Sequence, residues 1–97
     1  MPDVLTADEV DRLVGWELSG WSREGDTLVR SVESETFALG IRLVDSVAVV
    51  ADELDHHPDI DIRWTTVTFR LSTHSAGGIT SNDVELAKRI DALAEQR

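Results

Sequence analysis

The hydrophobic period of this chain changes abruptly in its middle, and Pro58 marks the change. Before it, Phe37, Ile41, Val44, Ala48 and Ala51 recur at steps of three and four, with Val47 and Leu54 widening the stripe, which is the period of an amphipathic helix. After it, Ile60, Ile62 and Trp64 alternate with Asp61 and Arg63. Val67, Phe69 and Leu71 then alternate with Thr66, Thr68, Arg70 and Ser72, which is the period of a strand. Proline has no amide proton and pushes the residue before it out of helical geometry, so the helix, expected from about Thr36 to Asp55, must end near His56-His57. Between Trp64 and Thr65 the apolar set moves from even to odd positions. Such a shift sends every side chain to the opposite face, so the pattern predicts a bend or bulge there and two strands rather than one. Gly40 lies inside the helical stretch and costs it about 1 kcal/mol relative to alanine, an exception that suggests a close approach by the sheet or another backbone.

The flanks are simpler. Thr6 with Glu9 has the form of a capping box, and Val10, Leu13 and Val14 follow at helical spacing, predicting a first helix over about Ala7 to Trp16. Gly15 and Gly20 bracket its exit. The stretch from Trp21 to Ser34 carries a Gly25-Asp26 turn signal between two short alternations, which is a hairpin. Trp16 and Trp21 are expected to pack in the core rather than to form a stacking platform for a flat ligand, because large aromatics beside a small core usually do. Gly77-Gly78 is a turn, and Thr80 with Asp83 again has capping-box form, giving Asp83 a structural role first. Val84, Ala87, Ile90 and Ala94, with Leu86 and Leu93, make a terminal helix. The order α-β-β-α-β-β-α, read as one domain over residues 1–97, argues an α+β sandwich with helices on one face of an antiparallel sheet.

Composition narrows the function classes. A chain of 97 residues with 41% hydrophobic content and no cysteine builds a core without staples, and nothing in it requires an oxidising compartment. No segment approaches the ~20 apolar residues of a membrane span, and the first residues lack the pattern of a signal peptide. The reading expects a cytoplasmic protein. A net charge of −10 opposes phosphate backbones and anionic lipid, so nucleic-acid and membrane partners are not expected.

The residues able to move a proton near neutral pH concentrate between Asp52 and Asp83, a stretch that holds all three histidines: His56, His57 and His74. Two adjacent histidines before a proline, taken alone, read as a helix C-cap, where an imidazolium suits the dipole. Three histidines drawn from a helix end and a strand end can instead converge on one small molecule. If the helix runs to His56, Asp52 lies one turn before it, placed to fix its tautomer. A metal site on the three histidines is disfavoured, because adjacent residues diverge in direction and no His-x-x-x-His spacing occurs. No Gly-x-Ser-x-Gly elbow is present to make Ser72 or Ser75 a nucleophile.

The series Asp52, His56-His57-Pro58, Trp64, His74 and Asp83, with its spacing, resembles the signature of the pterin-4a-carbinolamine dehydratases, and the likeness extends through Gly20-Trp21, Arg30, the LSTH run ending at His74 and the GITSND run ending at Asp83. The resemblance turns the histidine pair from cap to chemistry. It implies the same α+β arrangement, with a four-stranded sheet, and a hydro-lyase that dehydrates 4a-hydroxytetrahydrobiopterin to quinonoid dihydropterin and water during tetrahydrobiopterin recycling. It also implies His56, His57 and His74 as catalytic, with Asp52, Pro58, Trp64 and Asp83 binding or orienting the substrate. Neither metal nor organic cofactor is called for, since the pterin is the substrate, and a homodimer or homotetramer is expected. The alternative it carries is a non-catalytic module on the same fold, acting in dimerisation, coactivation or assembly.

Overall fold

A computed structural model describes residues 3–96. The elements in chain order are α1 (Ala7–Val14), β1 (Ser22–Glu24), β2 (Thr27–Glu33), α2 (Phe37–Leu54), β3 (Asp59–Arg63), β4 (Thr66–Leu71) and α3 (Ser81–Glu95). The strands form one antiparallel sheet in the order β1-β2-β4-β3. Two hairpins are thus joined side by side through their second strands, so β2 and β4 are central and β1 and β3 are edges.

Register separates the faces. Leu28 lies opposite Leu71 and Val32 opposite Val67, with Phe69 between them on β4, and all five side chains are buried. The helices cover this face: Leu43, Val47 and Val50 of α2 and Leu86, Ala87 and Ile90 of α3 complete the core with Val10 of α1, Leu18 and Trp21. Burying such side chains contributes about 1.5–3 kcal/mol each against leaving them in water. The other face is polar. Ser31 and Thr68 share a hydrogen bond across the central pair, and the Glu33 carboxylate accepts from the hydroxyls of Thr65 and Thr66.

The local signals explain the boundaries. Thr6 and Glu9 close a capping box at the start of α1, and Thr36 caps α2 through the Leu39 amide. The parity shift expected as a bend or bulge is a complete reversal, for Trp64 and Thr65 form the loop of the β3–β4 hairpin. Trp64 takes φ 53° there, left-handed geometry that a bulky residue adopts at some cost.

Two expectations need correction. Trp21 is buried, its indole N–H donating to Asp91, but Trp16 is 84% exposed and belongs to no core. The helix α1 ends at Val14, so Trp16 falls in the following turns and is not drawn inward. Gly40 does sit over β4, yet a methyl group on it would meet Val67 Cγ2 and Ser34 Oγ at 3.4 Å, ordinary contact distance. The sheet does not require a glycine at that point.

Candidate active site

The histidines gather at the end of the sheet where β3 begins and β4 ends, and the way α2 stops is what aims them. Asp55 takes left-handed geometry (φ 50°, ψ 43°), its amide donates to Asp52 O at 3.3 Å, and the His56 amide donates to Ala51 O at 3.0 Å. These are the two bonds of a Schellman motif, with Asp55 where glycine is common. The helix therefore ends at Leu54 through its own cap, before Pro58 acts, and the chain turns aside.

That turn separates the two imidazoles. His56 swings toward α3, where its Nε2 lies 2.5 Å from Asp83 Oδ1; its side chain is 13% exposed and that of Asp83 is 0% exposed. His57 lies back over α2, with Nε2 2.9 Å from Asp52 Oδ1, on side chains that are 57% and 79% exposed. Asp52 accordingly pairs with His57 and not with His56. The expectation that it orients His56 assumed a helix continuing to that residue, and the Schellman cap prevents this.

Asp83 carries more than a cap. Its Oδ2 accepts from the Thr80 amide at 2.9 Å, closing the capping box of α3, and from the Thr73 hydroxyl at 2.7 Å. Thr73 and Thr80 hydroxyls are themselves 2.8 Å apart and buried. An acidic side chain in the first turn of a helix is favoured by the helix dipole, and the fold holds this one in the interior with a hydrogen-bond partner on each oxygen. His74 follows Thr73 directly, in the turn that leads to the isolated bridge between Thr73 and Gly78. One carboxylate therefore ties His56 to the loop that carries His74. Sequence reading gives Thr80 only a capping role and Thr73 none; the Thr-His pair beside a capping box ten residues before Asp83 is the signal that could have found them.

Pro58 lies between His57 and β3, half-buried. Trp64 lies elsewhere. It is 80% exposed at the hairpin tip, and the five residues of β3 stand between it and the histidine end. At about 3.4 Å per residue that is roughly 17 Å within one chain. A hollow of about 510 Å³ between α1 and α3 is lined by Leu5, Leu13, Ser81, Val84, Glu85 and Lys88 and contains none of the histidines. Among the described residues no group of three or more His, Cys, Asp or Glu side chains is arranged to hold a metal ion, and no helix is long and apolar enough to cross a membrane.

Comparison with known proteins gives the family and matches the fold. The family model for pterin 4 alpha carbinolamine dehydratase matches residues 3–93. The chain belongs to that family. A protein of Nocardia farcinica named "Putative pterin-4-alpha-carbinolamine dehydratase" is 52% identical over 94 residues, covering 97% of this chain and 99% of its own. One of the same name from Mycobacterium tuberculosis is 53% identical over 90 residues, covering 93% and 95%. Among solved structures, a transcriptional coactivator/pterin dehydratase from Brucella melitensis superposes with a TM-score of 0.89 at 29% identity, over 95% of this chain and 99% of that one. A pterin dehydratase-like RuBisCO assembly factor of the alpha-carboxysome shares the fold, with a TM-score of 0.63 at 24% identity over 76% and 86% of the chains.

Proposed function

We propose that the protein is a hydro-lyase that dehydrates 4a-hydroxytetrahydrobiopterin to quinonoid dihydropterin and water, in the recycling of tetrahydrobiopterin. The observation that carries this reading is the pairing of two adjacent imidazoles with two different carboxylates at the sheet end that also bears His74. The reaction breaks the C4a–O bond, removes the N5 proton and forms the C4a=N5 bond. It needs an acid for the leaving hydroxyl and a base for the N5 proton, and imidazoles serve as both near neutral pH. His56, His57 and His74 are the catalytic candidates, with Asp52 orienting His57 and Asp83 orienting His56. Pro58 directs the chain from this pair into β3. The test is direct: purified protein should accelerate dehydration of enzymatically generated carbinolamine, followed by the ultraviolet spectrum of the quinonoid product. Absence of acceleration would leave the non-catalytic reading, a protein-binding module like the coactivator and assembly roles of its structural neighbours.

The same proposal includes self-assembly. Ile60 and Ile62 lie on the helix-side face of the edge strand β3, opposite Phe69 and Val67, yet both are exposed, as are Phe37 and Val49 of α2. An edge strand with free ladder groups and apolar side chains invites a second copy. Trp64, at the tip of the same edge, reaches a histidine site only if another copy brings it there.

A further inference from the structure

His56 and His57 are each aimed by a carboxylate, but among the described residues the His74 imidazole has no hydrogen-bond or ion-pair partner. Its direction is therefore set by the backbone that carries it. Resting on the dehydratase reading for what His74 does but not for how it is held, we propose that residues 4–6 form a strap that sets the turn bearing His74, with Val4 as the positioning residue.

The turn is anchored at both ends. Residues 74–77 reverse the chain between Thr73 and Gly78, which meet in the isolated bridge, the Thr73 amide donating to Gly78 O at 2.9 Å. On the leading side the Thr73 hydroxyl ties the turn to α3 through the Asp83 carboxylate. On the returning side the Leu5 amide donates to Ile79 O at 2.8 Å, and Val4 lies against Gly78. The fit there is close enough to dictate the residue. A methyl on Gly78 would stand 2.8 Å from Val4 Cγ1, inside ordinary contact, whereas one on Gly77 would meet nothing within 4 Å. Gly77 serves the turn by its left-handed backbone (φ 80°), but Gly78 has no positive φ, so space and not conformation excludes a side chain at 78. Val4 is 46% exposed, so the contact buries little and core packing does not account for it. What it fixes is where the returning side of the turn lies, and with it the direction of His74.

The experiment displaces the contact and then restores it. Gly78→Ala crowds Val4 away, while Val4→Ala combined with Gly78→Ala exchanges one methyl for another, since Val4 Cβ lies 3.8 Å from the added methyl, an ordinary contact. Gly78→Ala should lower kcat about tenfold with KM little changed, because moving a positioned group by about 1 Å costs up to about 10²-fold. It should also shift the His74 ring signals in ¹H–¹³C spectra of histidine-labelled protein, assigned by their loss in His74→Gln, and speed hydrogen exchange at the Leu5 amide. The paired variant should return all three toward wild type. A merely structural contact would move the urea midpoint and leave the ring signals and kcat in place. Unchanged ring signals and kcat in a folded Gly78→Ala would overturn the proposal, as would a loss that the paired variant does not recover. Wild-type protein without turnover would defeat the dehydratase reading, and the ring signals and the Leu5 amide would still decide whether the strap sets the turn. Should Gly78→Ala fail to fold, Val4→Gly removes the contact without crowding, and unchanged ring signals and Leu5 exchange in that variant would overturn the proposal equally.

Discussion

His57 and His74 stand in positions where a side chain can be removed without leaving a hole. Both are exposed, so replacing either by alanine should change unfolding free energy by no more than about 0.5–1 kcal/mol, the range of surface substitutions. If they are catalytic, the same changes should lower kcat by about 10²- to 10⁴-fold, and the double variant should lose less than the product, because groups serving one transition state fail together. Steady-state dehydration kinetics beside urea melts measure both, and unchanged kcat in the two single variants would end their catalytic assignment. Asp83 should behave differently. Its carboxylate has three hydrogen-bond partners in the interior, so Asp83→Ala, which leaves buried polar groups unpaired, should cost about 1–3 kcal/mol or more in stability, whereas Asp52→Ala removes an exposed pair worth about 0–1 kcal/mol.

Among the elements, α2 carries a cost that the packing does not demand. Since a methyl at position 40 meets Val67 and Ser34 only at ordinary contact distance, Gly40→Ala should recover helix propensity and raise stability by up to about 1 kcal/mol, measured by thermal or urea denaturation. A loss would show that the contact is tighter than it stands here. The polar face of the sheet has a titrating clasp: hydrogen bonds from Thr65 and then Thr66 hold the Glu33 carboxyl below its ordinary range. A depressed carboxyl pKa contributes stability that is fully present above the unfolded value and is lost as pH falls through the folded one. Thr65→Ala together with Thr66→Ala should therefore flatten the acid side of the stability profile, while the profile above the ordinary glutamate range keeps its shape. Parallel acid slopes in wild type and variant would refute it.

For the whole molecule, the exposed apolar edge of β3 is the feature that a free monomer has least reason to keep. Light scattering at tens of micromolar should find a dimer or tetramer, and Ile62→Lys, which puts a charge on that edge, should shift the population toward monomer while circular dichroism stays unchanged. A wild type that remains monomeric at that concentration would count against assembly through this edge.

The element order was legible in the sequence because hydrophobic period is a local property: Phe37 to Leu54 has the period of a helix, although the side it buries carries Leu43, Val47, Val50 and Ala51 while Phe37 and Ala48 of the expected stripe are exposed, and Val67, Phe69 and Leu71 have the period of a strand with one buried face. Capping boxes at Thr6 and Thr80 were legible for the same reason, since their partners lie three residues away. The histidine, aspartate and proline positions marked out the stretch, but not which carboxylate serves which imidazole. That was decided by the backbone reversal at Asp55, which turned His56 toward an aspartate 27 residues on and His57 back to Asp52. A left-handed residue outside glycine leaves little trace in sequence, and the meeting of α2's end with α3's start depends on how both helices lie over the sheet. Tertiary structure likewise separated Trp64 from the histidines, because a parity shift records that the chain changes face without recording that it turns back. What lies within one turn of helix or strand was determined by the sequence directly; what joins residues across the fold was determined by packing, where direction rather than spacing governs contact.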